Sequence, residues 1–493
     1  MGKIAVALTD ASPGSLAAAE AAELVELRID HLGADALEGL VERFRGRCIV
    51  TYRAAADGGV DGAVAEADRL ALLARAAKDG RVAYVDYELG CEGAAPPAAG
   101  RAAKLIVSRH DFERTPHAKE LEQLRAEMES TGADVVKIVT TARAEPDCFG
   151  VYHLFEGASA PMIALAMGEY GHASRVICLK LGAEMTFASA APGRESAPGQ
   201  ISLDDMLGMY RAGEVGRDTA LYGVMGDPIA HSMSPAIHNA AFAQLAMDAV
   251  YLPFRVTDDA AEFTRRIFGE VGLQGLSVTI PHKEAVIASL DRVDPVAERM
   301  GAVNTVAATE GGLYGTNTDS AAACDSLEAA LGGSLEGRRI GVCGAGGAAR
   351  AIVYGAADRG AEVLIANRTR SRAERLAAET GAAVCGPEEL AGAGLDALVN
   401  ATSVGMAPNR DSCPVADEAL REGLVVFDTV YNPLETTLLA RARSRGCVTV
   451  DGMEMFVGQA AAQFELWTGQ AAPGGLMRSV ALERLAARTQ EGG

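Results

Sequence analysis

Short apolar runs alternate with helical stretches through the first 210 residues of the chain. Eight runs have the character of buried strands, at 3–8, 23–29, 47–52, 81–89, 104–108, 134–140, 161–167 and 184–188. Most are separated by segments rich in Ala, Leu and Glu at helical spacing, such as 61–78 and 117–130. Apolar strands that alternate with helices are typical of an α/β protein whose parallel sheet is covered on both faces. Eight such units predict a (β/α)8 barrel, although periodicity alone leaves a doubly wound open sheet as the alternative.

The pattern changes after this segment and indicates further domains. A loop rich in Gly, Pro and Ser at 189–200 and a linker at 212–219 precede a new strand at 221–227. A second α/β pattern continues to about residue 320, a third opens with the strand at 338–343, and the tail 453–490 is helical in pattern. We expect a barrel over 1–212, a small α/β domain over 220–320 joined by the C-terminal helices 453–490, and a dinucleotide-binding domain over 321–452.

Composition narrows the class of protein. The 493 residues are 49% hydrophobic and 23% charged, which is typical of a globular protein and excludes a disordered or fibrous chain. The formal net charge of −21 disfavours binding to nucleic acid or to an anionic membrane surface. Any anionic substrate must therefore be bound by a local cationic pocket.

The sequence shows neither a targeting signal nor a metal-ligand pattern. No apolar run approaches the ~20 residues that a membrane-spanning helix needs, and the N-terminus lacks the pattern of a signal peptide. Nine cysteines occur singly, without a C-x-x-C pair, and the eight histidines are dispersed. We therefore expect a cytoplasmic protein with reduced thiols and no metal site.

Ionisable residues lie within or shortly after the predicted barrel strands. Burial of a charge is costly unless the charge is paired, and the carboxyl ends of barrel strands converge on one mouth where active sites form. So many charged groups at equivalent positions predict a catalytic site. The residues concerned are Glu26, Arg28, Arg53, Asp86, Glu88, His110, Asp111, Lys137 and Arg175.

Lys137 is the most informative of these residues because apolar neighbours flank it in Val-Val-Lys-Ile-Val. Desolvation there is expected to lower the pKa of its amine, and a neutral amine attacks a ketone to form an imine. His110 is the natural partner for proton transfer, and Asp86 or Glu88 is a candidate to orient it. Arg175 can bind a carboxylate through two hydrogen bonds. A lysine whose amine reaches solvent at the sheet end is the structural alternative.

This half of the chain resembles type I 3-dehydroquinate dehydratase. The matching stretches cover nearly the whole segment and are ELRID (26–30), TYR (51–53), DYE (86–88), SRHDF (108–112), VKIVT (136–140), MGEYGHASR (167–175), TFAS (186–189) and SAPGQ (196–200). The resemblance implies Lys137 as the Schiff-base nucleophile, His110 as general acid and base, and a loop at 189–200 that closes over the mouth. It also implies substrate binding by Glu26, Arg28, Arg53, Arg175, Ser196 and Gln200. Asp57 stands where the family often has glutamate, and its role stays open.

A glycine-rich turn predicts a dinucleotide site in the second half. GAGGAAR (344–350) lies between an apolar strand and a helical stretch, where backbone N–H groups and the helix N-terminus hold a pyrophosphate. The next strand ends in Asn367, Arg368 and Thr369 rather than in an acidic residue. A cation at that position favours NADP, because it can bind the 2′-phosphate.

A second constellation begins near residue 232. Ser234, directly before a proline, is a candidate N-cap, and Ser232 offers a second hydroxyl at the same helix N-terminus, which favours an anion. Lys283 lies just beyond a strand, and Asn304 and Asp319 follow it. A Lys–Asp pair is either a surface salt bridge or, beside a hydride acceptor, a proton-transfer pair for a carbonyl oxygen.

Residues 220–490 resemble shikimate dehydrogenase. The motifs are HSMSP (231–235), VTIPHK (278–283), AVNT (302–305), NTD (317–319), GAGGAAR, NRT (367–369), NATSVGM (400–406), DTVYNPLETTLL (428–439) and GMEMFVGQAAAQFELW (452–467). The resemblance implies Lys283 and Asp319 as the catalytic pair. It implies as substrate ligands Ser232, Ser234, Thr279, Asn304, Tyr431 and Gln459. It implies as NADP contacts Gly344, Ala345, Gly346, Gly347, Ala348, Asn367, Arg368, Thr369, Thr402 and Met406.

Together the two resemblances imply a bifunctional enzyme that dehydrates 3-dehydroquinate to 3-dehydroshikimate and then reduces it to shikimate with NADPH. A quinate dehydrogenase in the second half and a non-catalytic sensor built from degenerate copies of both domains are the alternatives. Met233 and Ser277 stand where the family commonly has lysine and asparagine, which is expected to weaken substrate affinity. Tethering of the two sites is expected to raise the local concentration of the intermediate.

Overall fold

The computed structural model describes residues 2–60, 64–95 and 98–491 and divides into two compact units. The first unit contains Met1–His231 and Ala246–Leu273, and the second contains Ser232–Leu245 and Gln274–Gly493. Residues 61–63, which the helical pattern at 61–78 includes, lie outside the described residues.

An eight-stranded parallel sheet dominates the first unit, and its strands follow the eight apolar runs. They are β1 (Lys3–Leu8), β2 (Leu24–Arg28), β3 (Cys48–Thr51), β4 (Val82–Glu88), β5 (Lys104–His110), β6 (Val135–Thr141), β7 (Met162–Met167) and β8 (Met185–Ser189). They pair in the order β7-β6-β5-β4-β3-β2-β1-β8. The N–H of Glu184, just before β8, donates to the carbonyl oxygen of Met162 in β7 at 2.9 Å. The sheet is therefore a nearly closed barrel, as predicted, and an open sheet is excluded.

Helices connect most of the barrel strands. They are α1 (Pro13–Ala21), α2 (Ile29–Leu32), α3 (Leu37–Arg43), α4 (Glu66–Ala77), α5 (Ala118–Ser130), α6 (Pro146–His153) and α7 (Ser174–Leu181). The connection between β4 and β5 holds only 3-10 turns among its described residues, at Glu92–Ala94 and Ala98–Gly100. Strands β2, β3 and β8 are buried along their whole length, because one face fills the barrel and the other lies under the helices.

Four elements follow the barrel: β9 (Ala220–Gly226), α8 (Ser234–Gln244), β10 (Ala249–Arg255) and α9 (Ala260–Arg266). The strands β9 and β10 pair in parallel, and both belong with α9 to the first unit, whereas α8 belongs to the second. Phe263 of α9 packs edge-on against Phe149 of α6, with ring centroids 6.1 Å apart. The first unit thus extends beyond the barrel itself.

The next segment of the second unit combines short strands and helices. They are β11 (Leu273–Val278), β12 (Arg292–Val293), α10 (Pro295–Met300), β13 (Thr305–Thr309), β14 (Gly312–Thr316) and α11 (Thr318–Leu331). Strand β13 pairs antiparallel with β11 and with β14, and β12 pairs in parallel with β14.

A doubly wound parallel sheet follows. Its elements are β15 (Arg339–Cys343), α12 (Gly347–Asp358), β16 (Glu362–Ala366), α13 (Arg370–Thr380), β17 (Ala383–Cys385), β18 (Ala397–Asn400), β19 (Val425–Asp428), α14 (Thr437–Ser444) and β20 (Val448–Val450). The strand order β17-β16-β15-β18-β19-β20 is that of the Rossmann fold. The order reverses between β15 and β18, and the crevice at the carboxyl ends of these strands is where the fold binds ligands.

Two long helices, α15 (Gly452–Thr468) and α16 (Gly474–Glu491), complete the second unit. The indole N–H of Trp467 donates to the carbonyl oxygen of Val306 in β13 at 3.0 Å, and Phe464 packs against Phe242 of α8 with ring centroids 5.4 Å apart. The tail therefore returns to elements of the 220–320 segment. The three domain boundaries expected from the sequence remain a prediction.

Candidate active sites

A pocket of about 520 Å³ opens at the carboxyl ends of the barrel strands. Its wall contains every barrel residue that was expected to contact substrate: Glu26, Arg28, Arg53, His110, Lys137, Arg175, Ser196 and Gln200. Asp57, Phe112 and Phe187 also line it. The structure thus gathers residues from five strands, the loop after β3, α7 and the 189–200 loop around one volume, although the role of each residue remains a prediction.

Lys137 points into this pocket from the middle of β6. Its Nζ lies 3.1 Å from Asp86 Oδ2 and 3.4 Å from Glu26 Oε1, and it sits 4.1 Å from the centroid of the Phe187 ring. The side chain is only 5% exposed, so an amine that reaches bulk solvent is excluded. Two carboxylates and one aromatic ring therefore surround this buried amine. The apolar neighbours in the sequence gave no sign of those carboxylates.

Asp86 is the centre of the buried charges. Arg53 donates to both of its oxygens, at 3.2 and 2.9 Å, and the hydroxyl of Ser108 donates to Oδ1 at 2.5 Å. Burial alone would raise the pKa of Asp86, but Arg53 and Lys137 outweigh burial and hold it well below its usual range. Asp86 is therefore a carboxylate that fixes the positions of two cations.

Glu88 is bound on the other side of Arg53. Its Oε1 accepts the N–H of Ala54 at 3.0 Å, and its Oε2 accepts a hydrogen bond from Arg69 at 2.9 Å. Arg69 also donates to the carbonyl oxygen of Tyr52 at 2.5 Å. Neither Glu88 nor Asp86 hydrogen-bonds to His110, so the prediction that one of them orients the histidine is wrong. Both carboxylates are engaged by arginines.

His110 ends β5 and faces the pocket. Burial lowers its pKa well below 6.5, Arg53 and Lys137 lower it further, and Asp86 opposes them. The imidazole is therefore neutral at neutral pH and can accept a proton. Its Nδ1 is buried without a hydrogen-bond partner in the described residues, and its ring stacks on Phe112 with centroids 6.0 Å apart and planes 15° apart.

Arg175, at the start of α7, holds the 189–200 loop against the barrel mouth. Its Nε donates to Gly199 O at 2.9 Å and its Nη2 to Pro198 O at 3.2 Å. Within the described ranges no carboxylate pairs with it, and burial lowers its pKa to about 10. By contrast, Arg28 is bound twice by Asp30, at 3.0 and 2.7 Å. Arg175 is therefore the pocket cation best able to bind a substrate carboxylate.

Three other pocket residues complete the mouth. The amide oxygen of Gln200 accepts the N–H of Ser196 at 2.8 Å and its hydroxyl at 3.2 Å, which ties the two together within the loop. Asp57 is half-buried. Burial and the nearby Glu88 raise its pKa, while the surrounding arginines oppose them. Its role remains open.

A Lys–Asp pair marks the second site. Lys283 Nζ lies 2.5 Å from Asp319 Oδ2, and the two side chains are 26% and 14% exposed. Asp319 lies in the first turn of α11, where its N–H donates to the capping Asn317 side chain at 3.1 Å. The pair is thus partly open to solvent, as a proton-transfer pair must be to meet a substrate.

Backbone pairing brings the other predicted substrate ligands to this pair. Asn304 accepts the N–H of Thr318 at 2.8 Å, and its carbonyl oxygen accepts the N–H of Val278 at 2.8 Å. The N–H of Val303 donates to the carbonyl oxygen of Lys283 at 2.8 Å. The segments that carry Thr279, Lys283, Asn304 and Asp319 are therefore adjacent.

The N-terminus of α8 differs from the prediction. The helix begins at Ser234, Met233 occupies the cap position without a side-chain cap, and the N–H of Ser234 donates to Ser232 Oγ at 3.2 Å. The prediction that Ser234 is the N-cap is wrong, because the chain enters the helix one residue earlier. Its hydroxyl is consequently not used for capping.

Of two further substrate candidates, Tyr431 packs against α15 and Gln459 lies within it. Tyr431, 37% exposed, packs on Phe456 with ring centroids 5.3 Å apart. Gln459 donates to the carbonyl oxygen of Phe456 at 2.9 Å. Ser277, where the family commonly has asparagine, is buried and donates to Gln463 Oε1 at 2.8 Å. Its hydroxyl is thus engaged by α15.

The glycine-rich turn after β15 fits a dinucleotide. Gly344 has φ +124°, and a Cβ there would lie 2.8 Å from Ala401 O, so only glycine is tolerated. A Cβ on Gly346 or Gly347 would meet nothing within 4 Å. Open space therefore lies at the N-terminus of α12, which Gly347 begins. Backbone N–H groups at such a position bind a pyrophosphate.

The remaining cofactor candidates surround this turn. Ala345 and Ala348 are half-buried beside the glycines, and Arg368 and Thr369 are exposed just beyond β16. Asn367 donates to Thr369 O at 2.9 Å. At the end of β18, Thr402 donates its hydroxyl to Asn400 at 2.7 Å, and Met406 is 46% exposed. The ends of β15, β16 and β18 are neighbours in the sheet, so these residues share one crevice.

Sequence reasoning missed several residues that shape the sites. They are Thr51, which donates to Glu26 at 2.9 Å, and Ser108, Arg69, Phe187 and Gln463. Phe187 lies in the quoted TFAS stretch on an inward strand position, so strand alternation could have identified it. Arg69 gave no signal, because an arginine within a helix usually extends into solvent.

The described residues contain neither a membrane-spanning helix nor a cluster of metal ligands. No helix among them is long and apolar enough to cross a membrane. No group of three or more His, Cys, Asp or Glu side chains among them is arranged to hold a metal ion.

Family models match four segments of the chain. They describe a type I 3-dehydroquinase over residues 7–216, a shikimate dehydrogenase substrate binding domain over 224–306, a shikimate / quinate 5-dehydrogenase over 326–405 and a shikimate 5′-dehydrogenase C-terminal domain over 452–482. The barrel pocket lies within the first segment and Lys283 within the second, whereas Asp319, Met406 and Tyr431 lie between matched segments.

Curated relatives resemble either the whole chain or its second half. A bifunctional 3-dehydroquinate dehydratase/shikimate dehydrogenase of Arabidopsis thaliana, described as chloroplastic, is 38% identical over 482 residues, which are 92% of this chain and 78% of the relative. A shikimate dehydrogenase (NADP(+)) of Methanosarcina acetivorans is 46% identical over 283 residues, 54% of this chain and 99% of the relative.

A solved structure is also similar to the second half of the chain. A crystal structure of shikimate dehydrogenase in complex with NADP+ has a TM-score of 0.52 and 36% identity, and the match covers 55% of this chain and 96% of that chain. The relative from Arabidopsis is similar across both halves at once. The chain therefore belongs to the family of bifunctional 3-dehydroquinate dehydratase/shikimate dehydrogenases.

Proposed function

We propose that the chain catalyses two consecutive reactions: dehydration of 3-dehydroquinate to 3-dehydroshikimate in the barrel, and NADPH-dependent reduction of that product to shikimate in the second unit. The observation that carries the first reaction is the buried Lys137 amine between two carboxylates, in the same pocket as a neutral His110. The curated relatives of the second half are named shikimate dehydrogenases, which favours shikimate over quinate as the product.

The first reaction begins at Lys137. Its amine loses a proton to water and attacks the substrate ketone, and the resulting carbinolamine takes up a proton and loses one water to form an iminium ion. His110 then removes a proton from C2, and the electron pair moves to the iminium nitrogen, which gives an enamine. The enamine expels the C1 hydroxyl, to which imidazolium returns the proton, so a second water leaves. Hydrolysis of the imine releases the product and restores the amine.

The other barrel residues hold the substrate for these steps. Arg175 is proposed to bind the substrate carboxylate, since it is the buried cation without a carboxylate partner in the described residues. Glu26, Arg28, Arg53, Ser196 and Gln200 are proposed to bind its hydroxyl groups. Because Arg175 also bonds to the 189–200 loop, substrate binding and the position of this loop are linked.

The second reaction places a proton donor beside a hydride acceptor. NADPH supplies the hydride when it is bound in the crevice at the ends of β15, β16 and β18. Lys283 is proposed to donate a proton to the carbonyl oxygen that becomes the alcohol, and Asp319, 2.5 Å away, holds that lysine in place. The hydroxyls of Ser232 and Ser234, at the N-terminus of α8, are proposed to bind the substrate carboxylate.

The residues around the glycine-rich turn fit NADP. The open space above Gly346 and Gly347 accommodates the pyrophosphate, and the exposed guanidinium of Arg368 is proposed to bind the 2′-phosphate. Ala345, Ala348, Asn367, Thr369, Thr402 and Met406 are proposed to line the rest of this crevice.

Domain boundaries and cellular location are further parts of the proposal. We propose three domains, at 1–212, at 220–320 with 453–490, and at 321–452. All nine cysteines are free, which supports the proposal of a reducing, cytoplasmic compartment.

Borohydride trapping tests the imine. Incubation with 3-dehydroquinate and sodium borohydride, followed by peptide mass mapping, is expected to give a reduced adduct on Lys137. The adduct and the dehydratase activity are expected to vanish in Lys137→Ala, while reduction of 3-dehydroshikimate persists. Lys104→Ala, which removes an exposed lysine at the opposite end of β5, is the matched control. An adduct on another lysine, or dehydration by Lys137→Ala at the wild-type rate, would contradict the mechanism.

A further inference from the structure

His110 lacks the hydrogen bond that commonly fixes a catalytic imidazole. Its Nδ1 is buried and has no hydrogen-bond partner within the described part of the chain. Asp86 is bound to Arg53, Ser108 and Lys137 instead. A side chain with two rotatable bonds and no hydrogen bond at this nitrogen must be oriented by packing, because proton transfer depends on the direction of the ring.

Phe112 provides a packing contact of this kind. It lies two residues after His110, at the bend that follows β5, and the N–H of the intervening Asp111 pairs with Val139 O of β6 at 2.8 Å. The two rings are nearly parallel, with planes 15° apart and centroids 6.0 Å apart, which is an offset-stacked arrangement. Both rings line the pocket.

Gly58, in the loop after β3, lies directly against the tip of the Phe112 ring, and we call this contact the seat of the ring. Its φ is +84°, and a Cβ built on it would lie 2.3 Å from Cζ and 2.6 Å from Cε2 of Phe112. Only a hydrogen atom fits between this backbone and the tip of the ring. A side chain at position 58 would therefore displace the tip of the Phe112 ring, which is 45% exposed and free to shift on its solvent side, and would alter its stacking on His110.

We propose that Phe112, seated on Gly58, is a positioning residue that holds the His110 imidazole in the orientation needed to remove the C2 proton. This inference rests on the proposed dehydratase function. Phe112 offers no polar atom to the substrate, so its removal affects the proton-transfer step more than the binding of the substrate.

The charges around His110, together with its burial, determine how removal of Phe112 would shift the pH dependence of dehydration. Arg53, Lys137 and Arg28 disfavour the imidazolium, Asp86 favours it, and burial is the largest influence, against the charge. Loss of the Phe112 ring admits water to the imidazole, so its pKa rises towards the ordinary value of about 6.5. The acid limb of kcat/KM for dehydration is then expected at higher pH than in the wild type.

Two variants and one matched control test the proposal in the full-length chain. Phe112→Leu keeps apolar bulk but removes the flat face, and Gly58→Ala displaces the ring from the other side. Gly272→Ala is the control, because Gly272 has a similar left-handed conformation, with φ +80° and ψ +39° against +84° and +21° for Gly58, and its added Cβ would meet nothing within 4 Å. Reduction of 3-dehydroshikimate by the same preparations is an internal measure of protein integrity, and the extent of borohydride trapping on Lys137 reports on the barrel pocket.

Both test variants are expected to lower the dehydratase kcat by about 10-fold, a part of the contribution of general acid–base catalysis, and to change KM by less than about threefold. Both are also expected to move the acid limb to higher pH, whereas Gly272→Ala leaves kcat and the pH profile unchanged. Wild-type kcat and an unshifted acid limb in Phe112→Leu would overturn the positioning role. Equal losses in Gly58→Ala and Gly272→Ala would show that Gly58 does not act through Phe112. If the wild type does not dehydrate 3-dehydroquinate, the proposed function itself fails.

Discussion

At the scale of single residues, Arg175 carries a buried positive charge that no carboxylate in the described residues neutralises. A chain selected for stability alone would not keep such a group, because an unpaired buried charge is costly. We expect Arg175→Met to raise the KM for 3-dehydroquinate by about 30-fold, which corresponds to about 2 kcal/mol for a lost charged hydrogen bond.

The same substitution is expected to leave the melting temperature of the chain nearly unchanged, since the lost bonds to Pro198 and Gly199 are offset by the relief of a buried charge. Steady-state kinetics and thermal unfolding of the two proteins check both statements. A large loss of stability with an unchanged KM would assign Arg175 to the fold instead.

His172 is a second residue whose burial has a measurable consequence, here for the stability of the fold at acid pH. Burial, and then the nearby Arg175, lower its pKa to about 4. A histidine with a lowered pKa in the folded state favours folding above its ordinary pKa of about 6.5, and this contribution is lost as the pH falls to about 4. The shift corresponds to about 3 kcal/mol over that window.

We therefore expect the melting temperature of the wild type to fall between pH 6.5 and 4, and His172→Gln to fall less steeply. Differential scanning fluorimetry over this range measures both slopes, with pH 7 to 8 as the reference interval. Parallel curves for the two proteins would contradict the assignment.

The sequence predicted which residues line the barrel pocket, but it did not predict the hydrogen bonds among them. The eight barrel residues converge on one pocket because parallel strands in a barrel all end at the same mouth, and that follows from the fold alone. The bonds among them do not follow from it. Arg69 reaches Glu88 and Tyr52 only because α4 packs over the loop after β3, and no pattern in the sequence specifies that approach.

At the scale of elements, the turn from β15 to α12 contains two kinds of glycine. One is required by the backbone conformation, and the other leaves space for a ligand. Gly344 is required by its backbone, whereas Gly346 has an ordinary φ of −93° and open space where a side chain would project. We expect Gly346→Ala to fold normally and to raise the KM for NADPH by about 10-fold, because the methyl group enters the phosphate position.

Gly344→Ala is the contrasting variant. Its Cβ would meet the backbone at Ala401, so we expect reduced thermal stability together with loss of the reductase. Kinetics with varied NADPH and thermal unfolding separate the two cases, and the dehydratase rate is expected to be unchanged in both. An unaltered KM in Gly346→Ala would place the pyrophosphate elsewhere.

The ends of the barrel strands were more predictable than the first residue of α8. All eight barrel strands lie within two residues of the apolar runs, because a strand buried on both faces must be apolar over its length. The start of α8 was less predictable. Two serines and a proline within four residues allow alternative caps, and the path by which the chain enters the helix decides between them.

At the scale of the whole molecule, closure of the barrel was the feature that periodicity left open. It depends on pairing of β1 with β8, between residues such as Lys3 and Met185 that are remote in sequence. No local pattern encodes that pairing. Each proposed site lies within its own compact unit. We therefore expect that either activity can be removed by substitution without loss of the other.

Lys137→Ala and Lys283→Ala are expected to remove the dehydratase and the reductase respectively, each without loss of the other. An equimolar mixture of the two variants should then convert 3-dehydroquinate to shikimate. We expect the wild type to show a shorter lag than the mixture, since tethering raises the local concentration of the intermediate. Absorbance at the NADPH band after addition of 3-dehydroquinate measures the lag. Equal lags would show that tethering has no effect.

The hydrogen bonds made by Gln463 have a consequence for synthesis of the protein on the ribosome. This side chain meets Ser277 and Asn304, which precede it by 186 and 159 residues. The barrel pocket uses residues no later than Gln200, so its parts leave the exit tunnel early in translation. The reductase must instead wait, partly assembled and exposed to chaperones and proteases, until the segment around Gln463 has also left the tunnel.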